Sequence, residues 1–155
     1  AFVSSLIVIT FIDLDFQIIP DSISLPWIVI GLIASAFVLP DPFMRSEPMG
    51  WANSLIGAAA GSVLFLFIVI ASRGGMGMGD VKMMAMVGAV TGWKGVLLTT
   101  FAGSVTGALA GVVIVIAKGG GRKTKVPFGP FLALGVLISI FAGQEILRIY
   151  MHGGI

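Results

Sequence analysis

From Trp51 to Ser72 the chain reads WANSLIGAAAGSVLFLFIVIAS, without one charged residue. That run is long enough for a helix to cross a bilayer, which takes about 20 apolar residues. Hydrocarbon accepts only backbones whose polar groups bond to each other, so a chain built of such runs must form helices or a closed barrel. Barrel strands are short and alternate in polarity, whereas these runs are continuous. Hydrophobic residues make up 57% of the chain and charged ones 10%, with a mean hydropathy of +1.11, well outside the range of ordinary soluble domains. The reading is all-α: a polytopic transmembrane helical bundle in the lipid bilayer, one domain over residues 1–155.

About five to six membrane helices fit the sequence. Residues 1–12 read as the tail of a first span, and Asp13 to Ser24 as a polar turn region. A second span follows from about Leu25 to Leu39, with Pro26 in its first turn, where a missing N–H is harmless. Asp41 to Gly50 is a breaker-rich loop, and the third span covers Trp51 to Ser72. Val81 to Val90 is too short to cross alone at 1.5 Å per residue, so it is expected to be a half-span or re-entrant helix closed by Thr91 to Lys94. Gly95 to Ala117 and Phe128 to Tyr150 complete the bundle, separated by the basic loop KGGGRKTK. The short first run suggests that an N-terminal part of the full-length protein is missing. Gly57 with Gly61, Gly88 with Gly92, and Gly103, Gly107 and Gly111 recur at four-residue spacing, a pattern that lets helices approach closely in lipid.

Against this background two acids stand out: Asp13, deep in FVSSLIVITFIDLD, and Asp80, after the turn RGGMGMG. A charge at the bilayer centre costs roughly 2.5 to 3.5 kcal/mol on insertion scales, so an intramembrane acid is a functional-site hypothesis. Paired carboxyls a few ångström apart cannot both ionise cheaply, and their shared proton lets one act as base and the other as acid. Asp80 also reads as a helix N-cap, a role compatible with catalysis. Asp13 and Asp15 would point about 200° apart on a helix, and Asp15 and Asp21 read as solvated residues at a span end. Asp13 is the better candidate for the second acid.

Other chemistries fare worse. The chain has no cysteine, which removes thiolate catalysis and the usual cysteine-rich zinc sites, and no metal site is expected. The lone His152 falls on the face opposite the acids, and a serine–lysine pair such as Ser22, Ser24 or Ser72 with Lys82 is a weak alternative. Lys82 reads as a snorkelling residue, and Met76, Met78, Met83, Met84 and Met86 as adaptable packing. The formal charge of +2 is too small and scattered for a nucleic-acid surface. If Asp13 and Asp80 share a face, Arg73, Lys82, Lys118, Arg122, Lys123 and Lys125 join them, while Arg45, Lys94 and Arg148 lie opposite. The positive-inside rule then puts both acids at the cytoplasmic side.

Three ordered motifs, FIDLDFQIIPD, GMGMGDVK and VPFGPFLALG, resemble those of the type IV prepilin peptidases, membrane aspartic peptidases of the GxGD class. The resemblance implies cleavage of the leader of type IV prepilins or pseudopilins at the cytoplasmic face of the inner (plasma) membrane, with Asp13 and Asp80 as the catalytic acids and no cofactor for proteolysis. It also implies that the full-length protein methylates the new N-terminus with S-adenosylmethionine. A GxGD protease of the presenilin kind is the near alternative, disfavoured by the PFGPF run. A proton-coupled membrane transporter or ion-pathway protein is the distant one, but it predicts acids at several depths and an inverted repeat.

Overall fold

The structure is a computed structural model and describes residues 1–37, 39, 49–72, 75–117 and 127–151. Its elements are α1 (Phe2–Phe16), α2 (Asp21–Phe37), α3 (Trp51–Ala71), α4 (Met78–Ala117) and α5 (Gly129–Met151). Three segments, Trp51–Ala71, Met78–Ile114 and Gly129–Tyr150, are long and apolar enough to cross a membrane. The all-helical bundle expected from the sequence is what the chain forms.

α4 is not straight. Gly92 has φ 72 and ψ −179, a combination essentially confined to glycine because a Cβ would collide with the backbone. A single glycine of α3 shows how far the chain turns there. A Cβ on Gly61 would meet the carbonyl of Met84 and, at 3.4 Å, the side chain of Val96. One turn earlier on α3, Gly57 meets Gly88 and Gly92 in the same way. Both halves of α4 therefore climb the same side of α3, and the chain doubles back at Gly92. The half Met78–Thr91 is only about 21 Å long at 1.5 Å per residue, matching the expected short half-span in kind, with a start three residues earlier than Val81.

This short half is the centre of the molecule. Met83, Met84, Met86 and Val87 are fully buried, together with Phe65 of α3, Leu6 and Ile9 of α1, and Leu132 and Val136 of α5. Its close seat against α3 comes from the glycines. A Cβ on Gly88 would run into the backbone oxygen and carbonyl carbon of Gly57 and lie 2.7 Å from the Ala58 nitrogen. Ser54 adds a hydroxyl that donates to the Ala89 carbonyl. Gly103 and Gly107 do the same service for the second half of α4 against α5, near Leu132 and Phe128. Gly111 does not belong to this stripe, since nothing lies within 4 Å of its Cβ position. The outward faces carry Phe67, Phe101 and Phe141, the apolar exterior that lipid requires.

Two expectations need correcting. The turn between the first helices is not Asp13 to Ser24: α1 continues to Phe16, and α2 already begins at Asp21. Only residues 17–20 connect them, because Gln17 takes a left-handed φ of 53 and its N–H closes α1 on the Asp13 carbonyl at 2.9 Å. Pro26 consequently sits inside α2 and not in its first turn. The Asp41 to Pro48 part of the next loop, KGGGRKTK and His152 lie outside the described residues.

Backbone contact at the crossing makes a test. Gly88→Leu is expected to overpack it and destabilise the folded protein by about 1–3 kcal/mol, whereas Gly111→Ala leaves stability unchanged. Thermal unfolding in detergent of the two variants beside the parent chain checks both.

Candidate active site

Five helix ends bring the site together. α1 and α5 run antiparallel, as do α1 and α2: Asp13 meets the start of α5, and Trp27 of α2 donates its indole N–H to Ser5 Oγ at 2.8 Å. α2 runs alongside the first half of α4, with Asp21 near Lys82 at one end and Gly31 near Ala89 at the other. The C-terminus of α1 and the N-termini of α2, α4 and α5 therefore gather at one end of the bundle, which α3 also approaches before Ser72.

There they enclose a cavity of about 630 Å³, lined by Asp13 and Asp80 and by residues 17–20, 75–79 and the Pro127–Phe128 pair. Asp13 and Asp80 are 6% and 7% exposed, the only acids buried among the described residues, and both line this one cavity. Asp13 is the last buried residue of α1. Its Oδ2 accepts a 3.0 Å hydrogen bond from the backbone N–H of Gly129, one of the donors that a helix start leaves without an internal partner.

Asp80 is placed differently from the expected N-cap. It is the third residue of α4, and its own N–H donates to the Gly77 carbonyl at 3.2 Å. The acid therefore lies within the first turn of the helix and not at its cap. The GMG turn before it packs tightly, because a Cβ on Gly79 would lie 3.0 Å from Ile19. The glycine-rich turn thus allows α4 to enter beside the α1–α2 connection.

The other candidates separate cleanly. Asp15 is exposed. Asp21 does not stand in solvent alone: Lys82 Nζ lies 2.7 and 2.6 Å from its two oxygens, a partly exposed ion pair on the cavity wall. A serine–lysine site gains nothing here, since Ser24 Oγ donates to Pro20 and Ser72 Oγ to Val69. Met83, Met84 and Met86 pack the core, while Met76 and Met78 line the cavity. Among the described residues no cluster of three or more metal-ligating side chains occurs. Sequence reasoning gave no residue of the PFGPF run a role. The signal available was its glycine between two prolines at a helix start.

Comparison with known proteins agrees with this arrangement. The model of the type IV leader peptidase family matches residues 1–112. Relatives named prepilin leader peptidase/N-methyltransferase include those of Stutzerimonas stutzeri, 36% identical over 147 residues, and Legionella pneumophila, 38% identical over 151 residues. The alignments take in 95% and 94% of this chain and 50% of each relative, so the chain spans about half the length of the curated relatives it matches. No solved structure matches it. The family match over most of the chain, with GxGD and FIDLD both at the cavity, is decisive: the chain belongs to the type IV leader peptidase family.

Proposed function

We propose that this domain is a membrane aspartic endopeptidase that removes the leader of type IV prepilins or pseudopilins, with Asp13 and Asp80 as its catalytic residues. One observation carries the reading: the two buried acids line one cavity, although they come from helices far apart in sequence. The chemistry follows from that pairing. The ionised carboxylate takes a proton from water as the oxygen attacks the scissile carbonyl, and the protonated carboxyl donates to the carbonyl oxygen. Collapse of the tetrahedral intermediate returns a proton to the leaving amine. The cavity is lined at residues 17–20 and 75–77 by non-helical backbone, whose polar groups suit the wet setting that hydrolysis needs at the end of an apolar bundle.

The site's place at the cytoplasmic face of the inner membrane belongs to the same proposal. Lys82 lies on the cavity wall, and Arg148 lies near the far end of α5, as the positive-inside argument requires. Arg45, Arg73, Lys118, Arg122, Lys123 and Lys125 lie outside the described residues. The relatives' names include an N-methyltransferase; methylation with S-adenosylmethionine is proposed for the full-length protein, and we assign no residue of this chain to it. The transporter alternative gains no support. Its acids should string along a pathway at several depths, whereas Asp13 and Asp80 meet at one cavity.

Asp13→Asn and Asp80→Asn should each lower prepilin cleavage by about 10²- to 10⁴-fold, the usual contribution of a general acid or base. Gel-resolved turnover of a purified prepilin, with folding checked by thermal unfolding, tests this; wild-type turnover by either folded variant rejects the dyad. Breaking the Asp21–Lys82 pair, whose side chains are 53% and 39% exposed, should change stability by no more than about 1 kcal/mol. A double-mutant cycle with Asp21→Asn and Lys82→Met measures it.

A further inference from the structure

Asp13 is fixed from two sides. Its main-chain carbonyl is tied by the Gln17 N–H at the left-handed end of α1, and its side chain by the Gly129 N–H at the start of α5. The second bond joins residues 116 positions apart and is buried. An aspartate has a short side chain, so an amide bound to Oδ2 decides where the whole carboxyl lies and leaves Oδ1 for other partners.

The same glycine also supplies the room. A Cβ at position 129 would lie 2.9 Å from the Asp13 carboxyl carbon, 3.3 Å from its Cβ, and closer still to Oδ2. Unbonded carbons settle at about 3.5 to 4.0 Å, so any side chain at 129 displaces the carboxyl. Pro130 follows at a position of the first helical turn that needs no N–H, and Pro127 and Phe128 line the cavity. The chain thus enters α5 along the cavity wall with one bare, donating amide facing Asp13.

We propose that Gly129 is a positioning residue for the acid pair: its backbone N–H and its lack of a side chain together hold the Asp13 carboxyl at the cavity beside Asp80. This rests on the reading of Asp13 and Asp80 as the catalytic residues. A role confined to starting α5 would lower stability alone. A positioning role lowers turnover in protein that remains folded and still binds substrate.

The test uses the full chain in detergent micelles with a purified prepilin, comparing Gly129→Ala, Gly111→Ala, Asp13→Asn and Asp80→Asn. Gly129→Ala is expected to lower kcat about 10²-fold, the loss typical of a reacting group misplaced by about 1 Å, with KM unchanged. Gly111→Ala, at a position facing open space, should keep the parent kcat. A parent-like kcat for Gly129→Ala, or a loss matched by an equal fall in folded protein, overturns the proposal. In protein labelled with ¹⁵N-glycine, Asp13→Asn should move the Gly129 amide resonance, and an unmoved resonance also overturns it. If the two Asp→Asn variants cleave at the parent rate, the acid-pair reading fails and the proposal falls with it. If they are inactive while Gly129→Ala is fully active, only the positioning proposal fails.

Discussion

Everything at the cavity depends on the crossing of two helix backbones at Gly57 and Gly88. With no side chain on either residue, the first half of α4 sinks against α3 until backbone touches backbone. Lipid offers no hydrophobic drive for helices to associate, so close van der Waals packing of this kind is what holds the bundle. The seat buries Met83, Met84 and Met86 and sets the height at which Asp80, two turns earlier on the same helix, enters the protein. The reversal at Gly92 then returns the chain beside α3 and lets α5 descend against it.

Given that seat, the site is a consequence of helix ends. A helix N-terminus presents unpaired N–H groups that attract carboxylates. The start of α5 directs such a group, the Gly129 N–H, at Asp13, and Asp80 itself lies in the first turn of α4. Among the described residues no basic side chain bonds to either acid. Lys82, the one described cation on the cavity wall, is engaged by Asp21. The hydrogen bond that the Asp13 carboxylate accepts thus comes from a neutral dipole, the Gly129 N–H.

The family relationship and the geometry bear on different questions. Similarity over residues 1–112 covers α1 to α3 and most of α4, and so includes both acids. The alignments with the relatives run over 94–95% of the chain and so reach α5, whose first residue contacts Asp13. The geometry adds what the comparisons do not give, the contact between that residue and the Asp13 carboxyl.

The sequence alone determined the class of fold, the number of helices within one, the short half-span and the two acids, because the bilayer punishes polar groups so heavily that few alternatives survive. Helical angle allowed only one of Asp13 and Asp15 to face inward, depth in the apolar run favoured Asp13, and Asp80 stood out by its place after the GMG turn. The boundaries of the first turn were misread because Asp13 and Asp15 look like a helix end, while the left-handed residue that ends α1 is Gln17, which carries no such signal. Only the tertiary structure decided that Asp80 sits in the first turn of its helix instead of at the cap, that Asp21 holds Lys82, and that Gly129 meets Asp13. Those are contacts between residues 61 or more positions apart or choices of backbone register. Hydrophobic periodicity reports which segments are buried, but it carries no information on which helix end faces which.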